Sequence, residues 1–345
     1  MPRLESNLTI GKPLGSGHFG DVHLGIDDVH GEVAVKILKQ RPGETIREWK
    51  ERKYGLLAEG QCLSQARHPN VVSVHHLLES PTDDSIHLVM EFCPGGSLQS
   101  AFESGPMTLG KLRNYTTGIV TGLGVLHNRG MLHRDIKPGN ILIDSCDIAK
   151  LGDFGLVTDD LILGYGSVAG YRDHLAPEVY KGGPTSQSTD LWALGMTMYR
   201  LLHGATWYGK WPPPYTLIPK GGFAKSLKWL PHISREWRRF IRKAMNDDPR
   251  SRFRNASEFV NALGQLPVGS GWECDIVLNQ VKWRKSIGDR NINVTWIEHA
   301  QHNHEWFAIS EPISAGRRRT LGSSNGIVSR ATAERGLEDF FSTHS

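Results

Sequence analysis

Cysteine is scarce in this chain. Only Cys62, Cys93, Cys146 and Cys274 occur in 345 residues. No two are spaced as CxxC, which argues against a zinc knuckle or a paired redox motif. Long apolar runs are missing as well, and none approaches the roughly 20 residues needed to span a bilayer. The opening MPRLESNLTIG holds no apolar core of signal-peptide length. Charge of one sign is also lacking. Forty Lys and Arg stand against 36 Asp and Glu, and +4 is too mild to argue for nucleic acid or an anionic membrane. These absences predict a cytoplasmic protein with reduced thiols, in which the triplet Asn7-Leu8-Thr9 is incidental. What remains, 39% hydrophobic and 22% charged, is ordinary for a globular protein. The length suits two domains, or one bilobal domain with an extension.

The informative stretch is MLHRDIKPGNILIDSCDIAKLGDFG, residues 131–155. It places Asp135, Lys137, Asn140 and Asp153 close together in sequence. A carboxylate can orient an attacking hydroxyl, and an amide with a second carboxylate can hold Mg²⁺, a hard cation that takes oxygen ligands. Phosphoryl transfer relies on such positioning and charge neutralisation. Each Asp alone would read as a loop cap or turn residue.

Upstream, LTIGKPL and DVHLGI alternate as strands, and GEVAVKIL is a near-continuous β-branched run. Gly15, Gly17 and Gly20 lie between the first two as GxGxxG. A dinucleotide fold would follow such glycines with a helix. Here Asp21–Gly25 continues as strand, so the glycines sit in a hairpin turn, and a Walker-type GxxxxGK[ST] is absent. An ordinary glycine-rich turn remains open on this motif alone. Lys36 ends the apolar Val33-Ala34-Val35 and needs an anion if buried. Residues 46–67 read as a helix with Trp49, Leu56, Leu57 and Leu63 on its apolar positions and Glu59 inside it. On spacing alone Glu59 reads as a solvated helix residue. Leu109 to Asn128 reads as a helix with Leu112, Ile119, Leu123 and Leu126 at 3/4 spacing.

Taken together, residues 8–266 resemble a eukaryotic-type protein kinase catalytic domain. The resemblance rests on Gly15–Val22, Val33-Ala34-Val35-Lys36, His133-Arg134-Asp135 through Asn140, Asp153-Phe154-Gly155 and Ala176-Pro177-Glu178, in family order. It implies an α+β bilobal kinase fold with a β-rich N-lobe and an α-rich C-lobe, using ATP and Mg²⁺. By position, Gly15, Gly17 and Gly20 would cover the phosphates, and Lys36 would contact them and pair with Glu59. Leu14, Val22, Ala34 and Leu142 would sandwich the adenine. Met90 would be the gatekeeper, with Glu91 and Cys93 at the hinge. Asp135 would be the catalytic base, and Asn140 and Asp153 the metal ligands. Lys137 follows the serine/threonine version of the loop. Ser167 and Thr158 are candidate phosphosites, and Arg134 is placed to meet a loop phosphate. Tyr171 stands where the family usually has Thr. Asp190 would prop the catalytic loop, and Arg252 would pair with Glu178; these three are structural. The implied activity is transfer of the γ-phosphoryl group to Ser/Thr hydroxyls of protein substrates, with autophosphorylation. A nucleotide-binding pseudokinase scaffold and a small-molecule kinase of the same fold are the rival readings.

Beyond residue 266 the resemblance stops. Residues 267–271 read as a linker, and 272–345 as a small α+β accessory domain, too rich in tryptophan (Trp272, Trp283, Trp296, Trp306) for a disordered tail. Strands are expected over Trp272–Trp283, Asn291–Ile297 and Glu305–Ile309. A helix is expected over Ser329–Phe341, with Ala333, Leu337, Phe340 and Phe341 on one face. Arg317–Arg319 reads as a solvated loop rather than a nucleic-acid patch, because nine Lys/Arg balance nine Asp/Glu in this region. His299, His302 and His304 beside Glu298 and Glu305 read as polar surface before a metal site. WYGKWPPPYTLIP, from Trp207, reads as a rigid loop packed on the lobe, with a docking surface as the alternative. The accessory region is expected to recognise substrate or partner, so its deletion would spare autophosphorylation.

Overall fold

The computed structural model describes residues 8–17, 20–65, 67–80, 82–153, 172–269 and 271–344. Of 16–17, 57–59 and 61–65 it describes the backbone alone. Thr158, Ser167 and Tyr171 lie outside the described residues.

The first lobe is a five-stranded antiparallel sheet with one long helix. Its strands are β1 (Leu8–Gly17), β2 (Gly20–Asp27), β3 (Gly31–Leu38), β4 (Val74–Glu79) and β5 (Ile86–Glu91), in the order β1-β2-β3-β5-β4. The β-branched run of β3 is the reason it lies centrally. Val33, Ala34, Val35 and Lys36 are all buried, so both faces of the strand are covered. Helix α1 (Ile46–Gln65) joins Trp49 and Leu56 to Leu38 and Ile86 in a small cluster. The Trp49 indole donates to the carbonyl and carboxylate of Asp84 at 3.1 and 2.8 Å, which ties α1 to the β4–β5 connection.

The second lobe is helical. It contains α2 (Leu98–Ser104), α3 (Leu109–Asn128), the short pair β6 (Ile141–Ile143) and β7 (Ala149–Leu151), and α4 (Pro177–Tyr180). Then come α5 (Gln187–Tyr208), α6 (Phe223–Ser226), α7 (Arg235–Ala244) and α8 (Ala256–Gly264). Helix α5 is buried on every face from Thr189 to Gly204, as its nearly uniform apolar sequence requires. Ser186 and Thr189 form a capping box at its start. Gly204 breaks it with φ 68°, and a Cβ there would stand 2.6 Å from the Gly105 carbonyl carbon. The Pro-rich stretch after it packs on the lobe, burying Trp207, Pro214 and Ile218.

A β-rich region follows. Strands β8 (Glu273–Val277), β9 (Gln280–Ile287), β10 (Arg290–Glu298), β11 (Asn303–Pro312) and β12 (Arg319–Ser323) form an antiparallel sheet. β13 (Val328–Ser329) pairs with β11, and α9 (Arg330–Thr343) closes the region. Two strand expectations are corrected here. Trp272–Trp283 is a hairpin rather than one strand, turning at Leu278 and Asn279, with Leu278 85% exposed at φ 47°. Arg319 opens β12, so the arginine triplet leads into an edge strand instead of staying wholly in a loop. The helix forms as expected, with Ser329 as its cap and Ala333, Leu337, Phe340 and Phe341 buried.

This region is not tethered loosely. It shares one buried cluster with the helical lobe. The Trp283 indole donates to His232 Nδ1 at 2.8 Å with both groups buried. Arg238 pairs with Glu338 at 2.5 Å. The connecting segment is pinned as well, since the Trp237 indole donates to the Pro267 carbonyl at 2.6 Å.

Candidate active site

The cleft side of the second lobe is built around Asp190, the residue that follows the capping box of α5. One of its oxygens accepts the His133 N–H and contacts His127 Nε2, each at 2.9 Å, and the other accepts the Arg134 N–H at 2.9 Å. This anchors a strained loop, because Arg134 holds φ 66°. Its guanidinium Nε donates to Thr185 at 3.2 Å. His133 is fully buried, and desolvation lowers its pKa and keeps it neutral.

Asp135 follows in the buried interior of that loop. Its Oδ2 accepts from the Lys137 ammonium and the Asn140 amide, each at 2.7 Å. The same amide also donates to the Asp135 carbonyl at 2.8 Å. Oδ1 is buried and accepts no hydrogen bond among the described residues. A buried carboxylate oxygen in that condition calls for a donor, and a substrate hydroxyl is one.

Across the cleft, Lys36 lies on β3 opposite Val22 on one side and Leu88 on the other. It is almost wholly buried, and its Nζ donates to Asp153 Oδ1 at 2.6 Å. The sequence reading paired Lys36 with Glu59. The structure brings Lys36 to Asp153, while Glu59 lies on α1 with its side chain outside the described residues. Asp153 holds φ 54° and leaves a third of its side chain exposed. Gly152, just before it, donates to the Asn140 carbonyl at 2.9 Å, which links the two candidate metal ligands through the backbone. An amide oxygen and a carboxylate are ligand types that suit Mg²⁺.

The positions expected from the sequence to face a nucleotide fall on the first sheet and the connection to the second lobe. Gly15 pairs with Val22, and Gly17 with Gly20, across the β1–β2 hairpin. Gly20 must be glycine: its φ is 127°, and a Cβ there would stand 2.4 Å from the Ile37 carbonyl oxygen. Leu14 is 41% exposed, as a residue awaiting a ligand face would be. Ala34 pairs with Met90. Glu91 donates its N–H to Ser73 at 2.9 Å, and its carboxylate meets Lys150 at 2.8 Å. Cys93 is buried, and desolvation pushes its thiol up to about 12, which favours the protonated thiol. Leu142 packs 3.2 Å from where a Gly152 side chain would begin, beside Asp153.

Arg252 is buried and donates to both Glu178 oxygens at 2.7 Å. Two contributors were missed in the sequence. His127, on the last turn of α3, is the third group on Asp190. Lys150, inside the buried triplet of β7, bridges Glu91 and Asp144 at 2.8 and 3.6 Å. A lysine flanked by apolar residues in a three-residue strand is the signal that would have found it. The reading of the tail histidines as polar surface is corrected at His304, which is buried against Trp296 because β11 turns it inward, while His299 meets Glu305 at 3.4 Å.

Comparison with known proteins agrees with this geometry. The family model described as protein kinase domain matches residues 8–262. The chain is 32% identical over 266 residues to the serine/threonine-protein kinase PrkC of Bacillus subtilis, covering 74% of this chain and 40% of that protein. It is 33% identical over 256 residues to cell division control protein 7 of Schizosaccharomyces pombe, covering 72% and 23%. It is 32% identical over 253 residues to the hormonally up-regulated neu tumor-associated kinase homolog A of Xenopus laevis, covering 70% and 36%. The chain thus spans a quarter to two fifths of the length of these relatives, and the matches centre on its first three quarters. With the family model covering both lobes and the loop between them, the chain belongs to the protein kinase family.

Proposed function

We propose that this protein transfers the γ-phosphoryl group of ATP to serine and threonine hydroxyls of protein substrates. The carrying observation is Asp135, with Oδ2 braced by Lys137 and Asn140 and Oδ1 buried and unsatisfied beside them. Oδ1 is placed to accept the proton of an attacking hydroxyl, while Lys137 balances charge developing on the transferred group. Lys36 is the cation for the α/β-phosphates. Gly15, Gly17 and Gly20 let the backbone approach them, and Ala34, Val22, Leu14, Met90 and Leu142 face the base. Asn140 and Asp153 would hold Mg²⁺, which when bound neutralises phosphate charge. Glu59 is the proposed partner of Lys36 once Asp153 turns to metal. Lys137, two residues after Asp135, favours serine and threonine over tyrosine. Thr158 and Ser167 are the proposed autophosphorylation sites. No described helix is long and apolar enough to cross a membrane, and we place the protein in the cytoplasm.

The test is Asp135→Asn. Loss of the base should reduce phosphoryl transfer about 10²–10⁴-fold while nucleotide affinity stays near wild type. Mass spectrometry after incubation with Mg-ATP reads the phosphate gained. A wild-type protein that binds nucleotide but gains none, on itself or on a generic protein substrate, would establish the pseudokinase reading instead.

A further inference from the structure

The β2–β3 hairpin folds over the outer side of the connection between the lobes. Val33 pairs with Glu91 and Val74 with Met90, so the start of β3 and the start of β4 both lie there. Asp27 closes the hairpin opposite Gly31. Its side chain is wholly buried, although Asp is rarely so. Oδ1 accepts the Val29 and His30 N–H groups at 2.9 and 2.8 Å, which fixes the carboxylate in a turn.

Two imidazoles converge on this carboxylate. His30 Nδ1 lies 2.9 Å from Oδ1, and His76 Nε2 lies 3.4 Å from Oδ2. The three ligand atoms all lie within 4.8 Å of one another, and no other such group of three occurs among the described residues. The ladder between β4 and β5 slips between Val74 and His76. That irregularity breaks the alternation of side chains and turns both His75 and His76 toward His30, whose ring stacks on His75 at 4.0 Å.

We propose that Asp27, His30 and His76 form a divalent transition-metal site, with Zn²⁺ as the ion that fits. Bonds of about 2.0–2.2 Å to imidazole nitrogen and carboxylate oxygen place tetrahedral ligand atoms roughly 3.3 Å apart, and the 3.4 Å between His76 Nε2 and Asp27 Oδ2 is of that size, while His30 Nδ1 would exchange its contact with Oδ1 for the ion. Two nitrogens and one oxygen suit zinc, cobalt or nickel better than magnesium or calcium. Oδ1 is held by backbone N–H groups, as carboxylate ligands usually are, and Oδ2 is the oxygen on the side of His76. His30 and His76 are about one-third exposed, at 35% and 28%, so an ion can enter and water can complete its shell. An occupied site would link β2–β3 to β4 directly behind the segment on which the lobes hinge. It stands apart from the phosphoryl-transfer reading and does not depend on it.

The experiment uses the full chain without an affinity tag, stripped with chelator and titrated with Zn²⁺ by calorimetry and with Co²⁺ by visible absorption. One saturable ion per chain and the strong d–d bands of tetrahedral Co²⁺ are expected. His30→Gln and His76→Gln should each weaken Zn²⁺ binding about tenfold or more, and Zn²⁺ should raise the melting temperature of wild type but not of either variant. His299→Gln, a partly exposed histidine beside a carboxylate in the tail, should bind as wild type does. Wild-type titrations without saturation, unchanged affinity in both His30→Gln and His76→Gln, or loss in His299→Gln would each overturn the proposal. In those cases the three residues form a hydrogen-bonded network only.

Discussion

Asp190 divides two oxygens among two backbone N–H groups and one imidazole, all within 2.9 Å and out of water. Asparagine at this position would present an amide donor to at least one of those donors. A buried donor left without an acceptor costs about 1–3 kcal/mol. Asp190→Asn should therefore lower the unfolding free energy by about 1–3 kcal/mol, measured by urea denaturation. It should also reduce kcat more than nucleotide affinity, because the His133–Asp135 loop relaxes while the first lobe is untouched. At this scale the candidate groups were legible in the sequence. Asp135, Asn140 and Asp153 are scarce residue types for their spacing, and their chemistry is shared. His127 was not legible. A histidine in an apolar helix gives no sign of its partner, and its partner lies 63 residues away. Lys36 was legible as a buried cation, but its partner depends on how the lobes stand, which no local pattern carries.

Elements report a different kind of information. Helix α3 begins and ends where its 3/4 periodicity does, at Leu109 and Asn128, because its apolar stripe faces the core along its whole length. The hairpin within 272–283 was hidden, since Leu278 at a turn looks like one more strand residue. Edge strand β12 was hidden by its arginine and glycine, which an edge tolerates. The ion pair of Arg252 and Glu178 joins the start of α4 to the loop before α8. The guanidinium fork also donates to the carbonyls of Asn246 and Ser188 at 2.7 and 3.3 Å. Arg252→Ala would leave Glu178 without its cation in a site only a quarter exposed. The expected loss is about 3 kcal/mol by chemical denaturation, at the lower end for a buried pair because water reaches Glu178. Arg252→Lys should recover little of it, because an ammonium cannot bond both carboxylate oxygens in the fork geometry.

At the scale of the whole molecule, the helical lobe and the β-rich region are held by one core. The sequence reading treated residues 272–345 as separable. The tryptophans that carried that reading are turned into the joint: Trp283 on His232, and Trp296 6.2 Å from Trp207, with Arg330 over both rings. Hydrophobic pattern identifies which face is buried but not what covers it, so this joint was not legible. Removing 271–345 should expose that face and impair folding of the kinase lobe, seen as aggregation, alongside any loss of substrate recognition. Two buried histidines set a pH dependence, His232 in this joint and His203 in α5 beside Trp207. Burial pushes His203 and His232 down to about 3 from 6.5. Both are neutral in the folded protein, while the unfolded chain takes up protons below pH 6.5. Stability is then fully present above that pH and falls as pH drops toward 3. The slope is up to about 1.4 kcal/mol per pH unit for each histidine. Urea midpoints at pH 7 and pH 5 should show the fall, and His232→Asn should flatten it.

The joint also imposes an order on synthesis. The ribosome releases the lobe carrying His232 and Trp207 before the residues that shield them have emerged. Phe340 and Phe341, among the last of those residues, sit against Trp272, and Phe341 against Trp283 and His232. Until α9 emerges, the nascent kinase presents an unprotected apolar face, and its dwell time there is set by the translation of about seventy codons.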